Sequence, residues 1–311
     1  MARRSKSKAL LPLKRGFERV LGWLIVGTLA VLRRINRKRM ANLAGGLMRI
    51  VGPWFPEHKV GRENLRAAFP EKSPQEIENI LGGVWENLGR VAAEFAHIDR
   101  IVYHDPSRPD PSRHVDVMID DVTYARLKTL GDAGQPTVVV AAHLANWEIP
   151  ALAPHLFGFR TSILYRRPNI GAASDAIVAM RERCMGTMVA AGLDAPLKLG
   201  RALGSGGTVA LLVDQHTTQG VEVVFFGRLA KANPLAVQLA RLTGAKIRGV
   251  RVVRLPDGNN FCAELTDEIP LVHKADGEID IQATTQAITN VVEGWVREHP
   301  EQWLWLHRRW R

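Results

Sequence analysis

Cysteine is scarce in this chain, and several motifs with recognised chemistry are missing. Only Cys184 and Cys262 occur in 311 residues, too few for a disulfide framework or a cysteine-ligated zinc site. There is no phosphate-binding P-loop, no His-Glu-x-x-His zinc motif and no Gly-x-Ser-x-Gly nucleophile turn. These absences argue against a disulfide-stabilised secreted domain, a P-loop NTPase, a zinc protease and a serine hydrolase. A reducing cytoplasmic environment is therefore the default expectation.

The chain also lacks a long uncharged run. The clearest apolar segment, residues 20–32, has 13 residues between Arg19 and Arg33. As a helix it would reach about 20 Å, whereas a bilayer core needs roughly 20 apolar residues. We expect a helical membrane anchor that lies in the bilayer or barely crosses it; a signal peptide and a core helix are the alternatives. Five basic residues within 33–39 and the missing small-residue cleavage site argue against export.

Acidic residues are almost missing from the first part of the chain. Residues 1–40 hold 12 Lys and Arg against one acid, Glu18, so they carry the whole net charge of +11. A nucleic-acid-binding protein usually spreads basic charge over a folded face, whereas a basic arm beside an apolar segment suits an anionic membrane surface. We therefore expect no nucleic-acid partner, a basic membrane anchor over 1–40, and one domain over 41–311.

Within 41–311 the pattern predicts a helical part over 41–100 and an α/β part from about 115. Ser73 followed by Pro74 is typical of a helix start, and the Pro-rich segment 105–113 predicts a loop. Short runs with no charged residue, typical of buried strands, lie at 137–142 and 208–213, and 247–253 and 261–265 are further candidate strands. Helical patterns lie between them, at 121–130, 147–157, 172–191, 234–243 and 282–298. This alternation predicts an α/β fold with a central mixed sheet flanked by helices.

His143 and Glu148 follow the first of these strands, where open α/β sheets bind their ligands. They can meet if His143 lies at the strand end, Asn146 caps the next helix and Glu148 lies in its first turn. The pair would then be a general base and the carboxylate that holds its other ring nitrogen. The alternative is a histidine that caps local backbone and a glutamate on a surface helix. A metal site that combines them with His155 or His216 is less favoured, because no metal-ligand spacing recurs.

Two further polar groups follow apolar runs. Asp214 and Gln215 follow the run 208–213, and Asp214 would orient a substrate group or His143, or else cap a turn. Arg166 and Arg167, with Asn169 two residues later, follow 161–164. The two arginines would bind a phosphate or form a solvated surface.

The last 12 residues contain three tryptophans, Trp303, Trp305 and Trp310, together with three arginines. This composition suits a membrane interface. It equally suits large side chains that close the protein core, so both alternatives stay open.

The block Ala-His-Leu-Ala-Asn-Trp-Glu at 142–148 resembles the His-x4-Asp/Glu motif of membrane glycerolipid acyltransferases. More specifically, it is similar to the Gly-His-x-Gly-Asn-Trp-Glu block of the late acyltransferases of lipid A biosynthesis, the lauroyl/myristoyl transferase family. Further blocks that resemble this family follow in chain order at 64–65, 69–71, 85–90, Glu94, 165–169, 213–215, 225–227 and 300–309. The resemblance therefore runs from about residue 60 to 310.

The chain departs from the family pattern at four places. Ala142 and Ala145 replace two glycines of the first block, and His216 stands where an acidic residue often follows Asp-Gln. Residues 231–234, Lys-Ala-Asn-Pro, replace small, threonine-rich residues. The last difference bears on acyl-chain length and acceptor more than on the chemistry.

The resemblance implies transfer of a fatty acyl group from an acyl carrier protein to a hydroxyl of a lipid A precursor of the Kdo-lipid IVA type. His143 would be the general base and Glu148 its partner, with no metal or redox cofactor. The implied substrate-binding residues are Arg166, Arg167, Asn169, Asp214 and Gln215. The implied location is the cytoplasmic face of a bacterial inner membrane, whose anionic surface would hold the basic arm.

Two rival functions remain at this stage. One is an acyltransferase with another membrane lipid acceptor, such as a phosphatidylinositol mannoside or an ornithine lipid, which the mass of the product would distinguish. The other is a non-enzymatic membrane-binding scaffold, for which His143→Ala would change nothing.

Overall fold

The computed structural model describes residues 27, 31–107, 112, 114–132, 134–166 and 172–310. Seven of its strands form one sheet: β1 (Val117–Met118), β2 (Thr137–Ala141), β3 (Thr161–Tyr165), β4 (Thr187–Ala190), β5 (Thr208–Leu212), β8 (Lys246–Arg254) and β9 (Phe261–Glu268). Their order across the sheet is β1-β9-β8-β2-β5-β3-β4. A separate antiparallel hairpin joins β6 (Val221–Phe225) to β7 (Arg228–Ala232).

The sheet is mixed, as the sequence predicts. Strands β8, β2, β5, β3 and β4 run parallel to one another. Strand β9 pairs antiparallel with β8, and β1 pairs parallel with β9. The carboxyl ends of the five parallel strands therefore lie along one edge of the sheet.

The described helices are α1 (Arg37–Val51), α2 (Pro56–Ala68), α3 (Pro74–Phe95), α4 (Asp121–Asp132), α5 (Ala153–Phe157), α6 (Ala172–Cys184), α7 (Ala195–Gly204), α8 (Leu235–Thr243) and α9 (Ile281–Glu298). They cover both faces of the sheet. Val139 packs in a core with residues of α4, α5 and α6, while its neighbours Val138 and Val140 pack with α7, α8 and α9. The α/β class with flanking helices is thus confirmed.

Two predicted helices differ from the structure. The predicted helix 172–191 ends at Cys184, and the edge strand β4 follows it. The predicted helix 147–157 is a 3-10 turn, Ile149–Leu152, followed by the short α5. The predicted start of α3 is correct, since the Ser73 hydroxyl and the Glu76 carboxylate each accept a hydrogen bond from the other's backbone N–H.

The C-terminal tryptophans close the core. Trp303 and Trp305 are fully buried, and their rings stack edge to face with centroids 4.6 Å apart. Trp305 also packs on Phe69 and Phe226. Of the two alternatives for this segment, core closure is therefore the observed one for these residues.

Most of the predicted anchor lies outside the described residues, which omit 1–26 and 28–30. In the part of the chain that the structure describes, no helix combines the length and apolarity needed to cross a bilayer.

Helix α1 packs closely on α3 through a glycine. A Cβ on Gly89 of α3 would lie 2.4 Å from the carbonyl oxygen of Ala44, whereas a Cβ on Gly46 of α1 would meet nothing within 4 Å. Alanine favours a helix over glycine by up to about 1 kcal/mol. We expect Gly46→Ala to raise the thermal unfolding midpoint, and Gly89→Ala to destabilise by about 1–3 kcal/mol through overpacking. Shifts of the same sign and size in the two variants would contradict this packing.

Candidate active site

The sheet topology brings His143 and Asp214 together. Strands β2 and β5 are neighbours, and Ala141 lies opposite Leu212 in their register. His143 and Asp214 each follow two residues after these partners, at the carboxyl edge of the sheet. Although 71 residues separate them in sequence, they are direct neighbours in space.

The Asp214 carboxylate holds His143 by two bonds. Its Oδ1 lies 2.8 Å from His143 Nδ1, and its Oδ2 accepts a 2.8 Å hydrogen bond from the His143 backbone N–H. The same Oδ2 accepts a 2.7 Å hydrogen bond from the indole N–H of Trp303. A carboxylate with these partners accepts only, so the Nδ1 proton of the neutral imidazole points at Asp214 and the lone pair lies on Nε2.

Glu148, in contrast, is bound to Arg181. Arg181 Nε donates a 2.9 Å hydrogen bond to Glu148 Oε2, and its Nη2 donates a second bond to Oε1. The guanidinium also lies over the ring of Phe95, 5.5 Å from its centroid. The prediction that the Glu148 carboxylate holds the His143 ring is therefore wrong. The β2–β5 register places the Asp214 carboxylate at Nδ1 instead.

Burial and the neighbouring charges shift the pKa values of His143 and Asp214 in opposite directions. Burial alone would raise the pKa of Asp214, but the charge of His143 and its ring hydrogen bond outweigh burial, and the pKa of Asp214 lies well below its ordinary value. Burial lowers the pKa of His143, but the Asp214 charge, the hydrogen bond and then the Glu148 charge outweigh it and raise this pKa. The site thus keeps the carboxylate ionised and makes the imidazole a stronger base.

The loop 142–148 that carries His143 is clamped from two sides. The Ala145 backbone N–H donates a 2.9 Å bond to the Gln302 carbonyl, and its own carbonyl accepts a 3.0 Å bond from Asn87 of α3. Ala145 has a φ of 46°, a region that favours glycine. This backbone conformation is consistent with the glycine that stands in place of Ala145 in the family block described above.

A buried ion pair supports the same loop. Arg254 donates two hydrogen bonds to Glu94, of 2.5 and 3.0 Å, and Glu94 is fully buried. Glu94 Oε2 also accepts a 2.8 Å bond from Asn146 Nδ2, and Asn146 Oδ1 accepts the backbone N–H of Glu148. The predicted helix cap at Asn146 is not formed: Glu148 is the residue that precedes the 3-10 turn Ile149–Leu152, and no side chain caps that turn.

An apolar cavity of about 550 Å³ opens beside the pair. It lies against the sheet face that α4, α5 and α6 cover, and alternate residues of β2, β3 and β5 line it, such as Val139, Ile163 and Ala210. Polar side chains line it as well, among them His143, Glu148, Tyr165, Arg166, Arg181 and Gln215. A largely apolar cavity with few polar groups is the usual form of a ligand site.

The predicted site residues divide into three groups. His143, Asp214 and Gln215 lie together, and Gln215 Nε2 is 3.4 Å from His143 Nε2. Glu148 and Arg166 line the same cavity. Arg167 and Asn169 lie outside the described residues. Among the residues that the structure describes, no three His, Cys, Asp or Glu side chains are grouped to hold a metal ion.

Sequence reasoning missed Arg181 and Arg254. Arg181 lies in the last turn of α6 and Arg254 at the end of β8. Arg181 lies inside a helix and follows no strand run. Arg254 comes directly after the run 247–253, but its partner Glu94 is 160 residues away in sequence. Only a strand order and helix packing deduced in advance would have located them.

The comparison with protein families identifies the family of this chain. The model of the bacterial lipid A biosynthesis acyltransferases matches residues 8–311. The chain belongs to this family, and the predicted resemblance is confirmed. Its activity is accordingly acyl transfer in lipid A synthesis. No curated protein sequence matches the chain significantly.

The contacts of His143 predict which carboxylate sets its basicity. We expect Asp214→Asn to lower the pKa of the His143 ring. The variant removes the negative charge that raises this pKa, whereas burial, which lowers it, remains. Glu148→Gln should lower this pKa less than Asp214→Asn does. The control Glu182→Gln alters an exposed side chain of α6 and should leave the pKa of His143 unchanged. NMR titration of the ring resonances measures all three. A larger effect of Glu148→Gln than of Asp214→Asn, in variants with equal thermal midpoints, would contradict the assignment.

Proposed function

We propose that the protein transfers a fatty acyl group from the thioester of an acyl carrier protein to a hydroxyl of a lipid A precursor of the Kdo-lipid IVA type. The observation that carries this proposal is the apolar cavity with the His143–Asp214 pair beside it. A cavity of about 550 Å³ lined by aliphatic side chains suits a fatty acyl chain. An imidazole that carries its lone pair on Nε2, beside the cavity, suits the activation of a hydroxyl.

In the proposed mechanism, His143 Nε2 removes the proton of the acceptor hydroxyl as the oxygen attacks the thioester carbonyl. Asp214 stabilises the imidazolium that forms. The tetrahedral intermediate then collapses, the carbon–sulfur bond breaks, and the imidazolium returns the proton to the leaving thiolate. The products are an ester and the free thiol of the carrier protein.

Glu148 has a different role in this proposal from the one the spacing suggests. Its carboxylate is bonded to Arg181, and its charge raises the pKa of His143 without a hydrogen bond to it. We assign it to holding Arg181 at the cavity and to favouring the imidazolium electrostatically. Arg181 and Arg166 line the cavity, so their guanidinium groups are available to a negatively charged oxygen or a phosphate.

The remaining parts of the proposal rest on sequence. Arg167 and Asn169 would extend the phosphate-binding segment that begins at Arg166. Residues 1–40 would hold the protein at the cytoplasmic face of the bacterial inner membrane, where their basic charge meets anionic lipids. Acyl carrier proteins are acidic, so exposed basic side chains would also speed their docking.

The direct test is acyl transfer by purified protein in detergent, read by mass spectrometry. The reaction contains carrier proteins loaded with acyl chains of mixed length and a tetra-acylated lipid A precursor. The matched control is His155→Ala, since the side chain of His155 is exposed. We expect wild type and this control to add one acyl group. His143→Ala should lose at least about 10³-fold in rate, since both proton transfers depend on its ring.

Two outcomes would contradict the proposal. Equal transfer by His143→Ala would remove this histidine from the mechanism. No transfer by folded wild type, together with transfer to another membrane lipid, would replace the proposed acceptor.

A further inference from the structure

Helix α1 and the 3-10 turn that follows it carry a stripe of exposed apolar side chains, Leu43, Leu47, Ile50 and Trp54, which we call the α1 stripe. Their side chains are 74, 59, 68 and 80% exposed, respectively. Among the described residues, seven of the seventeen exposed large apolar side chains fall within 31–55. Scattered single exposed apolar residues are ordinary, but a contiguous set marks an interaction surface.

The α1 stripe lies on one side of the helix. Its spacings of four, three and four residues keep the side chains within one narrow sector at 100° per residue, and the 3-10 turn Gly52–Trp54 extends α1 directly. The opposite side, with Ala41 and Gly45, is buried. That side packs against α3, where a Cβ on Gly45 would meet Arg90. The stripe is therefore a second apolar face, which the described part of the chain leaves exposed.

The charges around the α1 stripe indicate its partner. Arg39 is exposed on the same side of α1, and Arg34 is exposed just before the helix. Residues 1–40 carry 12 basic residues against one acid, and the apolar run 20–32 leads into α1. A second copy of the chain would bring the same positive charge to the contact and be repelled. Leucine, tryptophan and flanking arginine are instead the side chains that favour an anionic bilayer interface.

We propose that the α1 stripe docks on an anionic lipid surface, with α1 parallel to the bilayer and the stripe among the headgroups. This surface goes beyond the proposed function, because it requires neither the acyl donor nor the acceptor to be known. It also does not depend on whether residues 20–32 cross the bilayer. Because α3 lies on the other side of α1 and bonds the loop 142–148 through Asn87 and Glu94, the docked stripe fixes the height of the reactive centre above the lipid.

The test uses the full chain and vesicles of phosphatidylethanolamine with phosphatidylglycerol. The double variant Leu43→Glu/Leu47→Glu alters the stripe, and Leu197→Glu/Leu242→Glu is its matched control, since those side chains are 59 and 77% exposed on α7 and α8. We expect the stripe variant to lose about tenfold or more in vesicle partitioning and the control to stay within about twofold of wild type. Phosphatidylcholine vesicles should bind wild type less.

A second measurement reports the position of the stripe itself. Brominated lipids quench tryptophans that enter the bilayer, so wild type should lose more fluorescence than Trp54→Phe, while Trp310→Phe should be quenched like wild type. Equal partitioning of stripe and control variants, or quenching unaltered in Trp54→Phe, would overturn the proposal. So would a dimer that the stripe variant dissociates while vesicle binding stays unchanged. Binding is measured without acyl transfer, so a failure of the proposed function leaves this test intact.

Discussion

The Asp214 carboxylate is the group on which the rest of the site depends. It is fully buried, and it accepts hydrogen bonds from the His143 ring, the His143 backbone and the Trp303 indole. An ionised carboxylate in such a place is stable only when it is fully hydrogen-bonded and close to positive charge. The three bonds join the end of β2, the end of β5 and the C-terminal segment around one charge.

The C-terminal segment thereby becomes part of the active site. Besides the Trp303 bond, Leu144 and Trp303 form an isolated β-bridge, and the Leu304 backbone N–H bonds the His143 carbonyl. The loop 142–148 is thus held by the chain terminus on one side and by α3 on the other. Backbone contacts from several elements thus position His143, as the proposed role of general base requires.

The class of fold and the place of the site were predictable, because short apolar runs followed by polar residues mark the carboxyl edge of a buried sheet. The partner of His143 was not. Its spacing to Glu148 suggested a local pair, whereas the pairing depends on β2 and β5 being adjacent. Adjacency of strands is a property of the whole sheet, and residues within one strand do not encode it. Asp214 was a candidate partner of His143. The sequence also allowed it two other roles, to orient a substrate group or to cap a turn.

The errors in secondary structure have a similar origin. Strand β4 has four residues, Thr187–Ala190, and its apolar residues 188–190 are too few to distinguish a helical period from a strand. Its assignment depends on pairing with β3, and Gly186 permits the close approach, since a Cβ there would lie 2.2 Å from the Thr161 carbonyl oxygen. Arg181 gave no local signal, and Arg254 gave only its position after the run 247–253, because their partners Glu148 and Glu94 are distant in sequence.

The central claim is that His143 and Asp214 act as one unit, and a double-mutant cycle on the acyl-transfer rate tests it most directly. The account predicts that His143→Ala/Asp214→Ala is about as slow as His143→Ala alone, since Asp214 acts only through the imidazole. Multiplicative losses, in variants that remain folded, would show that the two residues contribute independently and would contradict the account.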